Sequence, residues 1–119
     1  MTKSPFAKVQ AGDMIQTTKF GAWTFLKRND YRKNSRDWNH CEGWFLVIET
    51  RTWKISDEHP WILTLDLWSP KENYWCDIRV YLYQEDIPKD VESQLEMVEV
   101  NELNNPKLLT HIPCVSETK

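Results

Sequence analysis

The chain has 119 residues, a formal net charge of −3, 40% hydrophobic residues and 28% charged residues. That length suits one domain with a real core, and that balance excludes a chain disordered along most of its length. The acidic total excludes a protein whose whole surface grips nucleic acid, and the longest strongly apolar run, Trp44–Ile48, is far too short to span a bilayer.

In chain order, Gly12-Asp13 after VQA reads as a tight turn that feeds a first strand, MIQTT. From Lys19 to Gly43 the periodicity is lost and polar residues dominate, which predicts a long loop interrupted at most by a short hairpin near Thr24–Lys27. GWFLVIETRTWKI (43–55) is β-branched and aromatic and predicts the strongest strand. SDEHP (56–60) is a turn. WILTLDLW (61–68) alternates, with Trp61, Leu63, Leu65 and Leu67 on one face and Ile62, Thr64, Asp66 and Trp68 on the other. YWCDIRVYLY (74–83) alternates again: Tyr74, Cys76, Ile78, Val80 and Leu82 face the core, and Trp75, Asp77, Arg79, Tyr81 and Tyr83 face away. IPKDVESQ (87–94) is compatible with a helical turn, and LEMVEV (95–100) with a closing strand. Residues 101–119 hold two prolines and little pattern and predict a mobile tail. Short strands with turn signals between them, and no long amphipathic helix, indicate an all-β fold with one domain over 1–100 and a tail over 101–119.

This pattern resembles the SH3-like small barrels of the Tudor and KOW type, notably short ones found in phage genomes. VQAGDMI (9–15), GWFLVIE (43–49), ILTLDLW (62–68), YWCDIRVYL (74–82) and LEMVEV (95–100) carry the resemblance as five successive strands. PUA-like RNA-binding barrels open with a similar turn, and the compact basic-Gly turn of KOW motifs is absent. The resemblance implies a five-stranded SH3-like barrel with a long early loop, and a binding module without catalysis. A phage accessory or host-manipulating protein is one reading; a structural virion subunit, or an oligomeric sponge for a nucleotide or small molecule, are the alternatives.

Charge is uneven along the chain. Residues 27–40, KRNDYRKNSRDWNH, hold five basic and two acidic side chains, whereas 84–104 hold seven acids and one Lys. Lys27, Arg28, Arg32, Lys33 and Arg36 can neutralise phosphates while Tyr31 and Trp38 stack on bases, which is the chemistry of single-strand binding. Contact with a protein partner is an equally open reading of this loop, and the bland alternative is a solvated loop whose aromatics pack back onto the barrel. A second candidate surface is the outer face of the fourth strand, with Trp68, Trp75, Arg79, Tyr81 and Tyr83 as a peptide groove, a cage for a cation or a subunit interface. Its bland alternative is core beneath the loop or tail. Seven Trp in so small a domain favour at least one on a binding face.

Other chemistry is poorly supported. His40, Cys41, His59, Cys76, His111 and Cys114 offer metal-ligand atoms, but no C-x-x-C is present and they are scattered, so no metal or other cofactor is expected. There is no Gly-x-Ser-x-Gly elbow, phosphate-cradling Gly-rich loop or His-Glu-x-x-His, and Asp66 with Asp77 is an ordinary cross-strand pair; the expectation is no catalysis. Three cysteines and no apolar signal in MTKSPFAKVQ fit a reducing compartment, hence the cytoplasm (the host's for a phage protein) or a virion. The expected partner is a protein or a second copy, with nucleic acid through 27–40 as the other possibility and no membrane.

Overall fold

The computed structural model describes residues 1–27, 36–87 and 106–114. Five strands form one antiparallel sheet: β1 (Met14–Phe25), β2 (Arg36–Trp53), β3 (Ile62–Ser69), β4 (Tyr74–Tyr81) and β5 (Leu108–Ile112). Successive neighbours are β2, β3, β4, β1 and β5, and β2 also pairs with β1. The pairings among β1 to β4 therefore return to their starting strand, the last link being Phe25 opposite Trp75. A short 3-10 turn, Pro5–Lys8, precedes the sheet, and another, Gln84–Asp86, follows β4.

The turn before β1 requires its glycine. Gly12 has φ 96°, a region that side-chain-bearing residues rarely enter, and a β-carbon there would lie 3.3 Å from Cys114. Its N–H donates to the Val47 carbonyl at 2.7 Å, and the Val47 N–H donates back to the Asp13 carbonyl at 2.8 Å, so the turn docks on β2 at once.

Strand alternation places the core. Ile15, Phe20 and Ala22 of β1, Cys41, Phe45 and Val47 of β2, Leu63, Leu65 and Leu67 of β3, and Cys76, Ile78 and Val80 of β4 form one buried cluster, joined by Phe6 and Val9 from the first turn. Phe20 and Phe45 meet in a tilted pair with ring centres 5.6 Å apart. Fully burying each such side chain contributes about 1.5–3 kcal/mol.

Two expectations are corrected. The stretch 19–25 is not loop: β1 runs to Phe25 and pairs with β2 from Arg36, with an irregularity between Thr17 and Phe20. That bulge shifts the register by which alternation is counted and hides the Phe20/Ala22/Thr24 inner face behind a polar run. Nor is 108–112 part of a patternless tail, because β5 pairs with β1 through Met14–Ile112, Ile15–His111, Gln16–Thr110 and Thr17–Leu108. The helical turn expected over 87–94 falls mostly, and the closing strand 95–100 wholly, outside the described residues.

On β3 the predicted alternation holds for Leu63, Leu65 and Leu67, but Trp61 is exposed instead of inward. It precedes the strand, and the Lys54 ammonium lies 5.0 Å from its ring centre in a cation–π contact. No helix among the described residues is long and apolar enough to cross a membrane.

Candidate binding face

Registers across β2, β3 and β4 sort the outer face into rows. Leu46, Trp68 and Trp75 stand opposite one another in the first row, and Phe25 of β1 continues it beyond Trp75. Glu49, Asp66 and Asp77 form the second row, Arg51, Thr64 and Arg79 the third, and Trp53, Ile62 and Tyr81 the fourth. Cross-strand neighbours at this spacing touch directly, so each row is a physical contact line.

In the first row Trp68 and Trp75 stack at a tilt, with ring centres 4.6 Å apart, and both remain part-exposed. Two positions back from Phe25 on the same strand face, Trp23 meets Trp38 of β2 edge-on at 5.6 Å. Trp23 is 40% exposed because its neighbours Ala22 and Thr24 take the inward positions. The Thr24 hydroxyl donates to the Asp37 carbonyl at 3.2 Å and accepts from the Asn39 side-chain amide at 2.7 Å, which fixes the two strands beneath the Trp pair. The aromatic groups Trp68, Trp75, Phe25, Trp23 and Trp38 thus line one outer strip, which ends where β1 leaves for residues 28–35.

The basic stretch is divided by the structure. Trp38 sits in β2, Arg36 opens that strand opposite Phe25, and Lys27 is exposed at the end of the strip. Arg28, Tyr31, Arg32 and Lys33 lie outside the described residues.

The predicted aromatic face is kept for Trp68 and Trp75 and corrected for two tyrosines. Tyr81 is 2% exposed and packs with Ile62, Trp53 and Ile87 in a second small cluster. Trp53 closes over this end by donating from its indole N–H to the buried Thr64 hydroxyl at 2.8 Å. Tyr83 lies past the end of β4, where a bridge to Lys3 turns the chain, and packs partly against the main core.

The second and third rows set three carboxylates beside two guanidiniums. Arg79 lies 3.6 Å from the Asp77 carboxylate. Burial pushes the Asp77 carboxyl above its ordinary value, and Arg79 and Arg51 oppose that rise. The strip is therefore bordered by carboxylates toward the middle of β4, and exposed Lys27 follows the end of β1.

The remaining titratable clusters have different surroundings. Cys41 and Cys76 meet in the core beside Tyr74. A hydrogen bond with the free Cys76 thiol lowers the Cys41 thiol to about 7 against the opposing effect of burial, while burial pushes Cys76 and Tyr74 up. At the other end of β1, buried Asp13 accepts from the Gln10 N–H at 2.8 Å and the Cys114 N–H at 2.7 Å, and its Oδ2 lies 2.7 Å from His111 Nε2. Burial alone would raise the Asp13 carboxyl, but these bonds outweigh it and hold it below its ordinary 3.8. Among the described residues no group of three or more His, Cys, Asp or Glu is placed to hold a metal ion.

The residues that sequence reasoning missed in the strip are Trp23 and Phe25. Their signal was the period-2 alternation against Phe20, Ala22 and Thr24, visible once counting restarts after the bulge. No family model, curated protein or solved structure matches the chain.

Proposed function

We propose that the chain is a non-enzymatic binding module that holds single-stranded nucleic acid along the aromatic strip, with the basic residues of 27–36 on the phosphates. The observation that carries this reading is the pairing of Phe25 with Trp75, which joins the Trp68–Trp75 stack to the strand that enters the basic stretch. Aromatic faces accept any base, and cations beside them follow the backbone; a single-strand groove needs both. We read the closed circuit of pairings from β1 to β4 as a small SH3-like barrel, and the accessory or host-manipulating role typical of short phage barrels goes with that resemblance.

The test is the salt dependence of oligonucleotide affinity in Arg32→Ala/Lys33→Ala. Each lost phosphate contact on a single strand lowers the slope of log K against log salt by about 0.7, so the double variant should lose roughly 1.4 from it. An unchanged slope would remove the basic stretch from the account. Binding of a protein partner with no oligonucleotide affinity would replace nucleic acid by protein as the ligand of the strip.

A further inference from the structure

A cavity lies at the far end of β4, away from the aromatic strip. Among the described residues β4 is paired with β1 only at Phe25–Trp75, near its start. Near its end Val80 and Tyr81 instead line a half-open cavity of about 430 Å³, together with Phe6, Ile87 and Leu108. That volume lies within the roughly 300–1,000 Å³ of small-molecule sites.

The walls are held in place by backbone bonds. The Ser4 N–H donates to the Leu82 carbonyl at 2.7 Å, and the Ser4 hydroxyl accepts from the Phe6 N–H at 3.1 Å, which fixes the first turn against the continuation of β4. On the opposite side the Thr18 N–H donates to the Lys107 carbonyl at 3.0 Å, and the Lys107 N–H donates to the Thr18 hydroxyl at 2.7 Å. The cavity is therefore formed before any ligand arrives, so binding does not have to order its walls.

Its chemistry is one-sided. Phe6, Val80, Tyr81, Ile87 and Leu108 present ring and aliphatic surface, and Lys107 is the charged residue among those that line it. Lys107 is exposed and its backbone is pinned by Thr18, which sets one cationic residue beside the apolar lining. We infer that this cavity binds a small amphipathic monocarboxylate, its alkyl or aryl body against Phe6, Val80 and Leu108 and its carboxylate at Lys107. Apolar lining supplies the affinity and the single cation supplies the polarity of binding.

The test uses the full chain, anilinonaphthalene sulfonate as a fluorescent apolar anion, and decanoate as competitor. The expected result is saturable dye binding at one site per chain, displaced by decanoate. Leu108→Trp, which fills the cavity, should abolish that binding with near-ultraviolet circular dichroism still native. Lys107→Glu, at an exposed position that does not threaten folding, should weaken decanoate about two- to fivefold. Trp75→Ala should leave both ligands unaffected, which separates this site from the strip. Non-saturable dye uptake, failure of decanoate to compete, undiminished affinity in Lys107→Glu, or loss of binding in Trp75→Ala would each overturn the inference.

Discussion

Asp13→Ala is expected to destabilise the fold by about 1.5–3 kcal/mol, the usual worth of hydrogen bonds to a charged group whose removal leaves buried donors without an acceptor. Asp13 is 4% exposed and its carboxylate gathers three donors: the neighbouring Gln10 N–H and, from about a hundred residues away, the Cys114 N–H and the His111 imidazole. Removing it leaves those donors without an acceptor beneath the start of β1 and loosens β5, whose pairing with Met14–Thr17 begins beside it. A urea midpoint that moves by the equivalent of less than about 1 kcal/mol would show that other contacts hold β5, since that is the worth of one ordinary hydrogen bond.

The same clasp makes a pH prediction with a definite sign. The folded carboxyl lies below its ordinary 3.8. Its contribution is thus complete above the unfolded value and is lost as pH falls through the folded one. Wild-type stability should fall as pH drops below about 4, and Asp13→Asn should show a shallower fall over the same window. Parallel curves for the two proteins would assign the acid sensitivity to other carboxylates.

Trp75→Ala carries the second large effect, on binding. A base stacked on an aromatic side chain contributes about 1–3 kcal/mol, so the dissociation constant for a single-stranded oligonucleotide should rise between about 5- and 150-fold. The fold should survive, because Trp75 is part-exposed and its stack with Trp68 adds only about 0.5–1.5 kcal/mol beyond the area it buries. Trp61→Ala is the control. Trp61 is more exposed than Trp75, and it sits against Lys54 at the opposite end of β3 from Trp68, roughly 23 Å along the strand at about 3.3 Å per residue. Equal losses in both variants would point to a general effect of removing surface indoles.

The sequence showed the later part of β2 together with β3 and β4 most clearly, the first by its β-branched and aromatic run and the other two because a strand with one face on the core alternates. The alternation failed where a second layer covers the outer face. Ile62 and Tyr81 are as buried as the leucines behind them, since Ile87 and Trp53 pack over them, and no local pattern at 62 or 81 records that. It failed again at 19–25, where the bulge resets the count and concealed Trp23 and Phe25. β5 was illegible for another reason. LLTHI is short, and it is a strand because β1 and Asp13 hold it from about a hundred residues away, a contact that neighbouring residues cannot announce. Of the candidate site, the types Trp68, Trp75 and Trp38 could be read directly. Their union into one strip depends on the non-local pairing of Phe25 with Trp75.

The most direct test of the central claim is a tryptophan-fluorescence titration of the wild-type chain with a mixed-sequence single-stranded oligonucleotide, at low salt and again at high salt. Saturable quenching that weakens steeply as salt rises is the predicted result, from bases stacking on the strip while cations release counterions from the phosphates. A flat response at both salts would contradict the nucleic-acid reading.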